Sequence, residues 1–132
     1  MGSEKRNSDI IWGWLWVSFA WMALLTILSA IPGKAMPHWD VLSYDKVVHV
    51  CFYAPLGWSI ISSLVRKVDF RFGVMMMVVM LFGGIDEIHQ HFVPGRTMDV
   101  WDWVADSIGG IIGGTFFLLW EHYWNKRSVK IT

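Results

Sequence analysis

Cysteine is almost missing: Cys51 stands alone in 132 residues. That excludes an intrachain disulfide and any zinc site built on paired cysteines. An excess of charge is missing too. Eleven lysines and arginines face eleven aspartates and glutamates, so a bulk basic surface for nucleic acid is not expected. No GxSxG, HExxH, Walker-type or phosphatase-type signature occurs, and no familiar hydrolytic or nucleotide chemistry is marked. No internal repeat or low-complexity linker divides the chain, so one domain over 1–132 is expected. What the sequence has in excess is apolar surface. It is 55% hydrophobic, carries ten tryptophans and has a mean hydropathy of +0.42, well above an ordinary soluble domain.

A helix needs about 20 mostly apolar residues to cross a bilayer. Four segments approach this: Ile10–Ile31, closed by Pro32-Gly33; Asp45–Val65; Phe70–His89; and Met98–Tyr123. The expected fold class is all-α, a four-helix transmembrane bundle. Lys5 and Arg6 ahead of the first segment resemble a signal peptide, but its apolar run is too long and no small-residue cleavage site follows. Lysine and arginine bias sets orientation. Lys5, Arg6, Arg66, Lys67, Arg71, Lys126, Arg127 and Lys130 fall on one side, against Lys34, Lys46 and Arg96 on the other. Both termini and the short middle loop are therefore expected in the cytoplasm, with the longer connections outside. Tryptophans fit an interfacial belt: Trp12, Trp14, Trp16, Trp120 and Trp124 inside, Trp39, Trp101 and Trp103 outside.

The polar residues inside these segments follow a pattern. Asp45, His49 and Tyr53 are spaced i, i+4, i+8, and Asp99, Asp102 and Asp106 i, i+3, i+7, so each set shares a helix face. His49 lies about 6 Å and Tyr53 about 12 Å deeper than Asp45. The third segment ends in Asp86, Glu87 and Gln90. Antiparallel packing brings all three faces to one depth near the outer leaflet. Six acids then face few permanent cations, and they must share protons, bind a cation or stay partly neutral. A divalent cation on Asp86, Asp102 and Asp106 is one expectation. Pro94-Gly95 suits a type II turn that returns Arg96 over the helix ends, where its fork can pair a carboxylate or a phosphate.

Simpler roles exist for some of these groups. Asp45, Asp99 and Asp102 sit where first-turn acids or N-caps are favoured, and Lys46 can reach the interface on its long stem. His89 and His91 lie on an expected exposed turn. Asp86 and Glu87 resist such a reading, because a helix C-terminus disfavours acids. Gly109 and Gly113, and Gly110 and Gly114, form two GxxxG pairs suited to close helix packing. The run Met75–Met77 is read as lipid-facing or core filling.

The segments "IPGKAMP", "DKVVHVCFYAPLG", "DEIHQHFVPGR" and "DVWDWVADSIGGIIGG", in this order, resemble the VanZ-like membrane proteins. The resemblance runs from about Ile31 to Gly114. Its pattern falls on Asp45-Lys46, His49, Tyr53, Asp86-Glu87, Gln90, Arg96, Asp102 and the glycines. Asp106 departs from it, standing where many members have asparagine. The family is named for a protein associated with low-level teicoplanin resistance, so the resemblance implies a small envelope membrane protein.

Three functions are compatible with the residues. The first is binding or acting on an envelope lipid: Lys46, Tyr53, Gln90 and Arg96 hold the headgroup, while His49, Asp86, Glu87 and Asp102 supply base or metal chemistry. The second is a non-catalytic partner of another membrane protein in envelope synthesis or export. The third is a proton- or cation-coupled carrier, which ranks last because the segments turn apolar below Tyr53 and Asp106.

Overall fold

A computed structural model describes residues 2–35, 42–64 and 70–129, with side chains over 12–35, 44–64 and 70–127. Four helices are present among them: α1 Gly2–Ser29, α2 Leu42–Ser63, α3 Arg71–His91 and α4 Val100–Val129. No strand occurs among the described residues. Expected positions Trp39, Arg66, Lys67 and Lys130 lie outside them, as do the side chains of Lys5 and Arg6. All four expected segments are helical. Their ends shift, most of all where α1 begins at Gly2 and where α4 continues to Val129.

α1, α3 and α4 are long and apolar enough to cross a membrane. α2 has the length, at 22 residues, but it opens on Asp45, Lys46 and His49. Lys46 and His49 spend their polarity on Asp102 and Asp106 of α4, and the rest of α2 supplies part of the core: Leu56 and Ile61 have no exposed surface. The outer faces are apolar. Trp16, Ile27, Phe70, Leu81, Ile85, Phe116 and Leu119 are each more than half exposed, a pattern for contact with hydrocarbon rather than water.

Cross-helix contacts fix the topology. Lys46 meets Asp102, and Ala54 meets Gly113, so α2 and α4 run parallel. Ser29 meets Asp86, so α1 and α3 run parallel to each other. Arg71 at the start of α3 pairs with Glu121 late in α4, which sets α3 against α4. The largest interface, α2 with α4, depends on glycine. A Cβ at Gly109 would lie 2.6 Å from the Val50 carbonyl oxygen, and one at Gly113 would overlap the Ala54 carbonyl. Gly110 and Gly114 face α3 instead, against Val79 and Met75. The two GxxxG pairs thus serve two neighbours, and Gly57 of α2 makes the same close approach to Gly110. Met75 is fully buried while Met77 is 55% exposed, so the methionine run both fills the core and faces outward.

Two further bonds cross between helices. The Trp21 indole donates to the Phe52 carbonyl (2.8 Å), and the Trp103 indole to the Met80 carbonyl (2.9 Å). At the end carrying the acids, two Pro-Gly turns interlock. Gly33 N–H donates to the Pro94 carbonyl (3.1 Å), and the Gly33 Cα packs on Gly95 with no room for a side chain. Gly95 has φ +76°, and Arg96 N–H closes the turn onto Val93 (3.1 Å), as a type II turn requires.

Candidate functional site

The polar residues of α2, α3 and α4 do meet at one end of the bundle, in two tiers. The outer tier is centred on Lys46. Its ammonium contacts Asp99 at 2.5 Å, Asp45 at 3.8 Å and also Asp102. Asp99 caps α4 by accepting the Trp101 N–H (2.8 Å). The Lys46 ammonium holds the Asp99 carboxyl below the usual carboxylate range. Lys46 is thus an internal counter-ion for the acids that open α2 and α4.

The inner tier lies one helical turn deeper. His49 Nδ1 is 2.8 Å from Asp106 Oδ1, while Nε2 is 3.9 Å from Asp102 Oδ2. A carboxylate at Nδ1 fixes the ring and leaves Nε2 as the free nitrogen. From α3, Asp86 accepts from the Ser29 hydroxyl (2.6 Å) and from Gln90 Nε2 (3.2 Å). Glu87 accepts from the Asp99 N–H (2.9 Å) and from Gln90 Nε2 (3.3 Å). Arg96 donates to the Gln90 oxygen. Gln90 therefore sits between two acids and a guanidinium, serving all three. These donors offset the cost of placing two acids at the C-terminal end of α3.

Two polar atoms are left over. Tyr53 Oη and Asp106 Oδ2 are buried without a hydrogen-bond partner, in residues 2% and 0% exposed. Each such group costs about 1–3 kcal/mol. Tyr53 faces Asp106, Asp86 and Glu87, and Asp106 Oδ2 faces Gly83, where a Cβ would come within 3.2 Å. Among the described residues no lysine or arginine lies within 4 Å of a carboxylate of Asp86, Glu87 or Asp106.

A cavity of about 260 Å³ opens beside this tier. Its lining is mixed: apolar side chains (Leu25, Leu28, Val48, Phe52) stand with polar ones (Ser29, His49, Tyr53, Asp86, Gln90, Arg96).

Of the residues singled out from sequence, His49, Tyr53, Asp86, Gln90 and Arg96 line this cavity. Glu87, Asp102 and Asp106 stand behind them, and Lys46 lies outside it. Arg96 reaches an amide rather than a carboxylate. Asp86, Asp102 and Asp106 are not the set whose ligand atoms converge. Within 4.8 Å of one another lie two others, Asp45–His49–Asp102 and His49–Glu87–Asp106, and Asp86 belongs to neither. His91 is exposed, but His89 is partly buried with Nδ1 3.4 Å from Ser29 Oγ. Sequence reasoning overlooked Ser29 and the α1 wall, because a serine in an apolar run carries no periodic signal. It also overlooked the bidentate Arg71–Glu121 pair at the other end.

The sequence profile of the VanZ/LLP1 family matches residues 12–121. Among curated proteins, the "Putative bacteriocin-SkfA transport system permease protein SkfF" of Bacillus subtilis (strain 168) is 26% identical over 118 residues. The match covers 83% of this chain but only 26% of that relative's length. No solved structure matches. The profile spans nearly the whole bundle, including every residue of the two-tiered site, and so this helical membrane protein belongs to the VanZ/LLP1 family.

Proposed function

We propose that the protein is a multi-pass component of the bacterial cytoplasmic membrane that binds a phospholipid through its headgroup at the outer leaflet. The mixed lining of the cavity carries this reading. Its apolar side chains suit the upper part of an acyl chain, and its polar ones include one cation, Arg96, and one acid, Asp86. Lys46 is committed to three carboxylates, so a purely anionic headgroup would meet more acid than base. A zwitterionic headgroup fits better: phosphate on the Arg96 fork and ammonium on Asp86. His49, held through Nδ1 by Asp106, lines the same cavity.

Native mass spectrometry of the purified protein with phosphatidylethanolamine and phosphatidylglycerol tests this. Wild type should retain phosphatidylethanolamine in preference. Arg96→Lys should lose retention despite keeping the charge, and Asp86→Asn should erase the preference for the amine. Equal retention in all three proteins would sink the reading. The lipoglycopeptide tolerance implied by the family resemblance should fall in the same two variants at equal protein levels.

The second reading is a module that works with another membrane protein. It is favoured by one finding, a relative described as a transport-system permease and nearly four times as long as the shared region. Co-purification of a stoichiometric membrane partner, unaffected by Arg96→Lys, would place it first.

A further inference from the structure

We propose that His49, Glu87 and Asp106 form a binding site for one divalent transition-metal ion, separate from the headgroup contacts and independent of the lipid reading. Three observations meet there. One atom from each side chain lies within 4.8 Å of the others, so small side-chain movements bring them around a common centre. Among the described residues, no lysine or arginine neutralises Glu87 or Asp106 within 4 Å. Finally, Asp106 Oδ2 is fully buried and without a hydrogen-bond partner, and the buried Tyr53 hydroxyl lies near both Asp106 and Asp86. Oδ2 supplies the third ligand, and Tyr53 is left to donate to a water or ligand on the ion.

The alternative set, Asp45–His49–Asp102, is already served by a cation, since Lys46 Nζ contacts both of its acids. Asp86 is excluded on different grounds: it belongs to neither set whose ligand atoms converge. One imidazole nitrogen with two carboxylate oxygens suits zinc or manganese better than calcium or magnesium. Three protein ligands leave coordination positions for water or substrate, and His49 opens onto the cavity that also holds Tyr53.

The test uses full-length protein in detergent, stripped with chelator. Binding of Mn²⁺ is followed by electron paramagnetic resonance and of Zn²⁺ by calorimetry, with helicity and monodispersity checked for each variant. Wild type should bind one ion per chain. Glu87→Gln and Asp106→Asn should each weaken binding by at least about tenfold, the scale seen even for residues that only support a metal ligand. Asp86→Asn and Asp45→Asn should leave it within about threefold. If Asp106→Asn does not fold, Glu87→Gln decides, with His49→Gln as its replacement. Absence of stoichiometric binding of both metals by wild type overturns the proposal. So does binding that survives Glu87→Gln, or that is lost in Asp45→Asn and kept in Glu87→Gln.

Discussion

Asp99 does two jobs that one substitution can separate. Its carboxylate caps α4 and pairs with Lys46. Asparagine keeps a capping oxygen and removes the charge. Because Lys46 depresses the folded-state pKa of Asp99, the charge stabilises the protein above the unfolded value of about 3.9. That contribution is lost as pH falls through the folded value. The pair is partly exposed and screened, so about 0.2–1 kcal/mol is the expected size. Thermal unfolding of wild type and Asp99→Asn should therefore differ slightly at pH 6 and converge toward pH 3. A gap that widens in acid would contradict the assigned pairing. The residue scale also shows what spacing made readable. The i, i+4 step from Asp45 to His49 and the i, i+4 step from Asp102 to Asp106 set the depth at which His49 and Asp106 meet, because helix geometry alone sets depth. It did not say that Lys46 would be consumed by three acids, since which carboxylates surround an ammonium is decided by helix rotation and approach.

Between elements, the closeness of α2 and α4 determines whether the two tiers exist at all. Gly113 is the most demanding position. A Cβ there would overlap the Ala54 carbonyl oxygen and come within 3.0 Å of the Trp58 nitrogen. These are backbone atoms, so no flexible side chain can yield, and overpacking of this kind costs about 1–3 kcal/mol. Gly113→Ala should lower the thermal midpoint and the yield of monodisperse protein, whereas Gly13→Ala, with nothing within 4 Å, should lower neither. Equal effects at both positions would show that helix propensity, not interhelical contact, governs the glycines. The GxxxG spacing announced close packing in the sequence, but not that alternate glycines address different neighbours. Gly57 gave no warning, because a lone glycine in an apolar helix looks the same whether or not a backbone crosses it. The Arg71–Glu121 pair was equally hidden: the partners are 50 residues apart and share no local pattern. The helices themselves were readable because length and apolarity are local properties. Only α2 obscures its membrane character, through polar residues whose partners lie on α4.

At the scale of the whole molecule, the ends differ in kind. The site end gathers carboxylates around Lys46, His49 and Arg96. The opposite end holds Arg71 paired with Glu121, and Lys126 and Arg127 near the end of α4, with Arg127 over the Tyr123 ring at 4.8 Å. The lysines and arginines that bias the sequence toward the terminal end predict that this end is cytoplasmic. The site would then face the outer leaflet, where the proposed headgroup contact must occur. Phe70 and Phe92 mark the two ends of α3 and are 74% and 77% exposed. In a Cys51→Ala background, Phe92→Cys should react with a membrane-impermeant maleimide in intact cells. Phe70→Cys should react only after permeabilisation. The background change is needed because Cys51 is itself exposed on the bundle surface. The reverse labelling would turn the cavity toward the cytoplasm and remove the outer-leaflet lipid as its ligand. The metal site would survive that result, since His49, Glu87 and Asp106 converge whichever way the bundle is inserted.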